Sequence, residues 1–235
     1  MLSLLQNALT AAGIPGTDEK LLSYQRYMEI ILAYNEHINL TAIRDPESFE
    51  KLHYVDSLAI LGLKEYQKAV KVIDIGTGGG FPGVPLAIAS PEKEFVLADS
   101  LAKRLKIVEE AAREAGCHNV RTCHGRAEDL GRDPAHREQY DLAVSRAVAA
   151  LPVLAEYCLP FVKPGGAFIA YKGIAPEAEV KEAEKAIRLL GGKVSGIFGG
   201  GTGDDQHHLI VIEKTGLTPK KFPRKAGTPS REPLK

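Results

Sequence analysis

The chain has 235 residues, 44% of them hydrophobic, which can bury a full core within the size of one α/β domain with an extension. Its 30 basic and 30 acidic residues cancel, and Cys117, Cys123 and Cys158 are odd in number and unclustered, so they read as core thiols and indicate neither a disulfide framework nor a zinc knuckle. The N-terminus lacks a basic stretch followed by a long apolar run, and nothing approaches membrane-spanning length, so a cytoplasmic protein is expected.

In chain order, Leu21, Leu22, Tyr24, Tyr27, Met28, Ile30, Ile31 and Tyr34 recur at helical spacing. They predict an amphipathic helix over residues 18–37 whose apolar side chains serve the core. Asp45 and Pro46 predict the N-cap and first turn of another helix, on which His53 and Asp56, three apart, share one face. That pair reads as a hydrogen bond fixing the packing, in preference to a general base or a lid.

The apolar run Val72-Ile73-Asp74-Ile75 then enters Gly76-Thr77-Gly78-Gly79-Gly80-Phe81-Pro82-Gly83, a strand running into a glycine-packed turn, with Pro82 suited to the first turn of the next helix. Such a turn lets the backbone lie against a flat ligand. Two ligands fit it. The spacing Gly78-x-Gly80-x-x-Gly83 matches a dinucleotide fingerprint, whereas Asp74, inside the strand end, favours S-adenosylmethionine and would sit near its methionine amino group. A second strand, Phe95-Val96-Leu97-Ala98, ends at Asp99, whose carboxylate suits both hydroxyls of a ribose. Residues 119–123 form a third strand, followed by Gly125-Arg126-Ala127-Glu128-Asp129, where methyltransferases hold adenine. Singly, Asp99 and Glu128 read equally well as helix caps or solvated carboxylates; three correctly ordered strand ends outweigh that.

A fourth strand over residues 141–145 leads into Arg146-Ala147-Val148. The Asn/Asp-Pro-Pro-aromatic motif that grips an exocyclic amine is absent there, as is a Pro-Cys nucleophile, so a ring nitrogen is the favoured methyl acceptor. A fifth strand over residues 167–171 precedes Lys172, which points to the same rim and could meet RNA phosphate; a helix follows over residues 176–190. Residues 193–198 and 207–213 predict a closing strand pair, joined by a flexible glycine connection over residues 199–205 that reads as a hairpin loop. His207 and His208 are adjacent on a strand and point to opposite faces, so no metal is assigned. From Lys214 to Lys235 seven Lys or Arg face one acid, a net of +6, so the neutral chain still presents a basic rim. Phe222, Pro223 and Pro229 interrupt those charges and predict a segment docked beside the site, with Arg224, Lys225 and Arg231 reaching phosphates.

Along nearly its whole length the chain resembles the RsmG family, also called glucose-inhibited division protein B, bacterial 16S ribosomal RNA guanine-N7 methyltransferases. The matching residues are Asn39-Leu40-Thr41-Ala42-Ile43, His53 with Asp56-Ser57-Leu58, the glycine turn with Asp74, Asp99-Ser100-Leu101 with Lys103-Arg104, and Arg126-Ala127-Glu128. They continue with Ser145-Arg146-Ala147-Val148-Ala149, Lys163-Pro164-Gly165-Gly166, Tyr171-Lys172-Gly173 and the tail from Pro223 to Pro229. The resemblance implies a class I S-adenosylmethionine-dependent methyltransferase. Its fold would be a Rossmann-like seven-stranded sheet, order 3-2-1-4-5-7-6 with strand seven antiparallel, and a helical extension at the N-terminus. The expected division is 1–65 for the extension, 66–214 for the methyltransferase domain and 215–235 for the basic tail. The cofactor, S-adenosyl-L-methionine, would rest on Gly76, Gly78, Phe81, Asp99, Ser100, Leu101, Ala127, Glu128 and Arg146, the last of which reads alternatively as a buried ion pair. The implied partner is 16S ribosomal RNA or the 30S subunit, met by a monomer without metal or membrane.

Guanine N7 offers a lone pair that is unprotonated at neutral pH, so no catalytic base is expected. Positioning should carry most of the rate, and an acceptor near the base would stabilise the cation that forms. Three other readings stay open on the sequence: a small-molecule methyltransferase with the same domain, a nicotinamide dehydrogenase, and an RNA-binding module on an inactive methyltransferase fold.

Overall fold

The apolar runs become seven strands: β1 (Lys71–Ile75), β2 (Glu94–Asp99), β3 (Val120–His124), β4 (Tyr140–Arg146), β5 (Val162–Lys172), β6 (Gly192–Gly199) and β7 (His208–Lys214). They form one sheet in the expected order, β3-β2-β1-β4-β5-β7-β6. Strands β1 to β5 pair in parallel, and β7 runs antiparallel to both β5 and β6. The structure, a computed structural model, describes residues 2–200 and 207–234, so residues 201–205 of the expected glycine connection lie outside the described residues. Among the described residues no helix is long and apolar enough to cross a membrane.

Side chains alternate across each strand, so the sheet buries two faces. Val72, Leu97, Leu142, Ile169 and Leu209 belong to one core, shared with α1 (Ser3–Ala11), α2 (Asp18–Asn35), α5 (Gly83–Ala89) and α6 (Ala102–Glu114). Ile73, Ala143, Phe168, Ile210 and Ile212 belong to the other, shared with α8 (Leu151–Cys158) and α9 (Pro176–Leu189). Shorter helices complete the chain: α3 (Pro46–Phe49), α4 (Lys64–Lys68), α7 (Ala127–Leu130) and α10 (Thr228–Arg231). The first helix, α1, has no counterpart in the sequence reading. It is short, and what holds it is tertiary: Leu5 and Leu9 are fully buried and the Leu5 N–H donates to the buried Glu50 carboxylate at 2.9 Å.

Helix α2 ends at Asn35, two residues short of expectation, because the Asn35 side chain turns back and binds the backbone of Leu40 and Thr41 at 2.8 and 3.0 Å. Asp45 caps α3 as expected, accepting from the Ser48 N–H at 2.8 Å, and the helix continues as a π-helical stretch, Glu50–Val55. Pro82 takes the N-cap position of α5, one residue ahead of the expected first turn. Cys117 and Cys158 are buried, but Cys123 is only half-buried, because β3 is one of the two edge strands of the sheet.

Helix α2 supports the glycine turn from the core side. The Tyr27 hydroxyl donates to the Gly79 carbonyl at 2.8 Å, and the Tyr24 hydroxyl donates to the Pro85 carbonyl at 2.6 Å. Gly80 has φ +87°, and a Cβ there would lie 2.1 Å from the Tyr27 hydroxyl. Gly80→Ala should therefore cost about 2–4 kcal/mol, from overpacking plus backbone strain. In a double-mutant cycle with Tyr27→Phe, followed by urea unfolding, the two losses should sum to more than the double mutant shows; additive losses would mean that Tyr27 and Gly80 do not share this contact.

Candidate active site

At the carboxyl ends of β1, β2, β4 and β5, the chain encloses a cavity of about 750 Å³. One half is lined by Gly76, Gly78, Asp99, Ser100, Leu101, Ala127 and Glu128, and the other by Leu52, His53, Asp56, Arg146, Tyr171, Lys172, Glu179, His207 and His208. Every residue expected at the cofactor, Phe81 included, lines this one space. Of the residues expected at RNA, only Lys172 does.

The first half is built by the strand ends. Asp99 closes β2 with both carboxylate oxygens oriented, Oδ2 accepting from the Gly78 N–H at 3.0 Å and Oδ1 from the Leu101 N–H at 2.9 Å. A carboxylate has acceptor capacity beyond two bonds, so Asp99 can still receive a ribose diol. The turn itself discriminates between its glycines. A Cβ at Gly79, Gly80 or Gly83 would strike Leu40 and Phe81, Tyr27, or Leu97, whereas at Gly78 it would meet nothing within 4 Å. Gly78, at φ +57°, thus leaves the one open place along this turn, on the cavity wall beside Asp99.

Asp74 lies elsewhere than the sequence suggested. It is fully buried beneath the turn and does not line the cavity, so the expected contact with a methionine amino group is corrected. Its Oδ2 accepts from the Thr77 hydroxyl at 2.7 Å and from the Gly83 N–H at 2.9 Å. Its Oδ1 has no partner among the described residues, and burial pushes the carboxyl up to about 6 against the pull of those two hydrogen bonds. The residue pins the turn to the start of α5 from below.

The second half centres on Arg146, at the end of β4. Its guanidinium pairs with Asp56 Oδ2 at 2.6 Å, donates to the Leu52 carbonyl at 3.0 Å and donates to His53 Nδ1 at 3.0 Å. His53 and Asp56 therefore meet through Arg146 on the cavity wall, and the hydrogen bond expected between them gives way to two bonds to one guanidinium. Arginine only donates, so Nδ1 accepts and Nε2 carries the proton, donating to the Thr41 hydroxyl at 2.7 Å. The His53 ring also stacks flat on Phe81, with centroids 4.0 Å apart. Burial and then Arg146 push His53 down to about 3, which removes it as a base carrying a proton near neutrality. The second oxygen of Asp56 takes His207, at 2.9 Å from Nδ1. Because β7 starts at His208, His207 precedes the strand, and both histidines line the same cavity; His208 Nδ1 binds the Gly173 carbonyl at 3.0 Å.

The tail docks beside the cavity, as Phe222, Pro223 and Pro229 suggested, but Arg224 is not a phosphate ligand. Its guanidinium is spent on the fully buried Glu156, at 2.7 Å from Nη2 to Oε2 and 3.0 Å from Nε to Oε1. The tail also reaches the site, since the Gly227 N–H donates to Glu128 Oε1 at 2.7 Å. Lys172 is corrected in the same way: its ammonium is held by Glu179 at 2.7 Å and by the Ala149 carbonyl at 3.0 Å. Lys225 and Arg231 are exposed on the tail, Arg231 donating from Nε to the Gly227 carbonyl at 3.2 Å. Sequence reasoning missed Glu156, Glu179 and His207. Glu156 carried a signal, a lone charge in the otherwise apolar turn of α8; the other two carried none, since they become neighbours of the site only through the crossing of β5, α9 and β7.

A sheet of this order with a glycine turn after β1 and an acid ending β2 defines a class I methyltransferase. Residues 20–210 match the family model described as rRNA small subunit methyltransferase G. The ribosomal RNA small subunit methyltransferase G of Alkaliphilus oremlandii is 47% identical over 99% of this chain and 98% of the relative, and that of Clostridium novyi is 45% identical over 92% and 90%. The chain belongs to this family, and it is a methyltransferase. Among solved structures, an O-methyltransferase from Bacillus cereus in complex with SAH shares the fold at TM-score 0.55 and 18% identity, covering 80% of this chain and 90% of that one. The fibrillarin pre-rRNA processing protein of Methanococcus jannaschii does so at TM-score 0.54 and 17% identity, over 67% and 73%.

Two outcomes follow from these contacts. Arg224→Ala strands the Glu156 carboxylate in the core and should cost about 3 kcal/mol or more, while Lys225→Ala, an exposed side chain, should cost almost nothing; thermal unfolding of the two variants side by side decides this. For His53, a lowered folded pKa means that the unfolded chain binds the extra proton between pH 6.5 and about 3. The stability carried by neutral His53 is thus complete above pH 6.5 and is lost as pH falls through that window. His53→Gln, which keeps an acceptor for Arg146 and a donor for Thr41, should lose less stability than wild type between pH 7 and pH 4; parallel urea-unfolding curves would contradict this.

Proposed function

We propose that the protein transfers a methyl group from S-adenosylmethionine to N7 of one guanine in 16S ribosomal RNA. The observation that carries the reading is a single cavity of about 750 Å³ that brings all the expected cofactor residues together beside the polar cluster of Arg146, Asp56, His53 and Glu179. When bound, S-adenosylmethionine supplies an activated sulfonium methyl group. The residues present fit it: Gly78 leaves room for its backbone approach, Asp99 offers oriented oxygens to a ribose diol, and Leu101, Ala127 and Glu128 line the cavity where the adenine would lie. In the same reading Gly76, Phe81, Ser100 and Arg146 complete the cofactor's surroundings.

The chemistry asks little of the side chains beyond position. N7 needs no deprotonation, and His53, held neutral with its proton turned to Thr41, is not placed to remove one. Arg146 is fixed at the junction of the two halves by Asp56 and His53, so it can orient the reactants without swinging into the path of the methyl group. Water exclusion falls to the apolar wall of Leu52, Leu101, Val148 and Tyr171.

The exposed cations Arg126, on the cavity wall, and Lys225 and Arg231, on the tail, are the phosphate contacts of this reading. The 30S particle or a precursor is the form of the substrate, the enzyme acts as a monomer without metal in the cytoplasm, and residues 66–214 form the catalytic body between the extension 1–65 and the tail 215–235.

The test is transfer of labelled methyl from S-adenosylmethionine to unmodified 16S RNA and 30S particles, with the modified base mapped. Label at one guanine N7 supports the reading; label only on small molecules, or none, overturns it. In the same assay Asp99→Ala should weaken cofactor binding about tenfold to a hundredfold, the worth of hydrogen bonds to a charged acceptor, and leave RNA affinity unchanged. Equal loss of both ligands would contradict the division of the cavity.

A further inference from the structure

Among the described residues, the half of the cavity around Arg146 holds one carboxylate, Glu179, with an oxygen that has no hydrogen-bond partner. Among the described residues four carboxylates line the cavity: Asp56, Asp99, Glu128 and Glu179. Asp56 spends one oxygen on Arg146 and the other on His207, and Asp99 spends both on the N–H groups of Gly78 and Leu101. Glu128 is on the cofactor side and holds the tail through Gly227. Glu179, in the first turn of α9, differs from Asp56 and Asp99 in keeping one oxygen unpartnered, and from Glu128 in lying beside Lys172, across the sheet from the adenine-side loop. Its Oε2 takes both the Lys172 ammonium, at 2.7 Å, and the Leu151 N–H, at 3.0 Å, while Oε1 has no hydrogen-bond partner among the described residues. The side chain is 28% exposed, on the same wall as Lys172, Arg146 and His208. Two donors from different elements anchor Oε2, and Oε1 is left without a hydrogen-bond partner among the described residues in a side chain that lines the cavity.

We propose that Glu179 is the residue that selects guanine, its Oε1 accepting from N1–H and the exocyclic N2 amine on the Watson–Crick edge of the target base. This inference rests on the reading of the cavity as a guanine-N7 methyltransferase site. Among the four bases guanine alone presents two adjacent donors on that edge, and a carboxylate is an acceptor-only partner for them. Adenine presents an acceptor at N1 and would be repelled. The choice of edge also suits the reaction. N7 is on the opposite side of the purine, so a base gripped at N1 and N2 presents N7 outward, toward the cofactor half. As N7 takes the methyl group the purine gains a full positive charge and its N1–H becomes more acidic; an anionic acceptor at that N–H stabilises the charge where it develops. Lys172 is the positioning partner, holding Glu179 in place through Oε2.

The test compares the mapped target guanosine with inosine, which lacks only the N2 amine, at the same position of an otherwise identical 16S fragment or reconstituted 30S particle. Wild-type enzyme should lose about tenfold to a hundredfold in kcat/KM on the inosine substrate, the worth of a hydrogen bond to a charged acceptor. In Glu179→Ala the guanosine rate should fall by a similar factor and the guanosine-to-inosine ratio should collapse toward one. Glu179→Gln keeps an acceptor for the Leu151 N–H, so it reports the same ratio if the alanine variant fails to fold. Cofactor affinity should be unchanged in both. If both variants lose rate but keep the wild-type ratio, Glu179 is a structural strut and the proposal is overturned. A wild-type enzyme that methylates the guanosine without distinguishing inosine also overturns it while leaving the proposed function standing; a wild-type enzyme that methylates neither overturns both.

Discussion

A carboxylate buried under a glycine turn is the constraint on which the rest of this site depends. Asp74 reaches upward from β1 and holds the Thr77 hydroxyl and the Gly83 N–H on one oxygen, which fixes the turn's two ends to each other across the start of α5. Its other oxygen has no partner among the described residues, and its ionised form is disfavoured by burial, so the arrangement is costly. It persists because the elements around it are over-determined. Tyr27 and Tyr24 of α2 clamp the turn and α5 from the core side, and Leu97 fills the space that a larger residue at Gly83 would need. What emerges on the upper side is a backbone surface open at Gly78, with Asp99 set beside it.

The segments that flank the sheet are parts of the site. Asp56 and His53, from the N-terminal helices, hold Arg146 at the end of β4, and Asp56 also reaches His207 ahead of β7. Arg146 and His207, distant from Asp56 and from each other in sequence, thus converge on its carboxylate. On the far side, the tail is held by Arg224 against Glu156 and touches the cofactor half through Gly227 and Glu128. Its basic character therefore divides: Lys214 is buried, with its ammonium pushed down to about 8 by burial, and the half-buried Arg224 is tied to Glu156, whereas Lys220, Lys221, Lys225 and Arg231 stay exposed. A net charge counted along the sequence overstates what the tail can offer to RNA.

Where patterns are local, the residues themselves were enough. The period-two and period-3.6 runs specify strands and helices, and the strand ends follow from Asp74, Asp99 and Arg146 standing where apolar runs stop. The order of the sheet and the clustering of Gly76, Gly78, Asp99, Ser100, Leu101, Ala127 and Glu128 around one cavity were legible through motif order and family resemblance. Misreadings arose where a side chain's partner is remote. Arg224 and Lys172 looked like phosphate ligands because Glu156 and Glu179, their partners, are 68 and 7 residues away in the chain, and even the lone charge of Glu156 in an apolar turn does not say which cation it meets. Asp74 looked like a ligand contact because a strand end faces either the cleft or the core, and only the packing of α5 over it decides which.

By itself, the sequence determined the class of fold, the position of the cofactor turn and the family, since all three depend on residue types at short, fixed spacings. Only the tertiary structure decided which charges are spent inside the protein and which are left to act. A charged group's role is set by the partners within a few ångströms of it and by its desolvation, and both are properties of the folded neighbourhood that no spacing along the chain encodes.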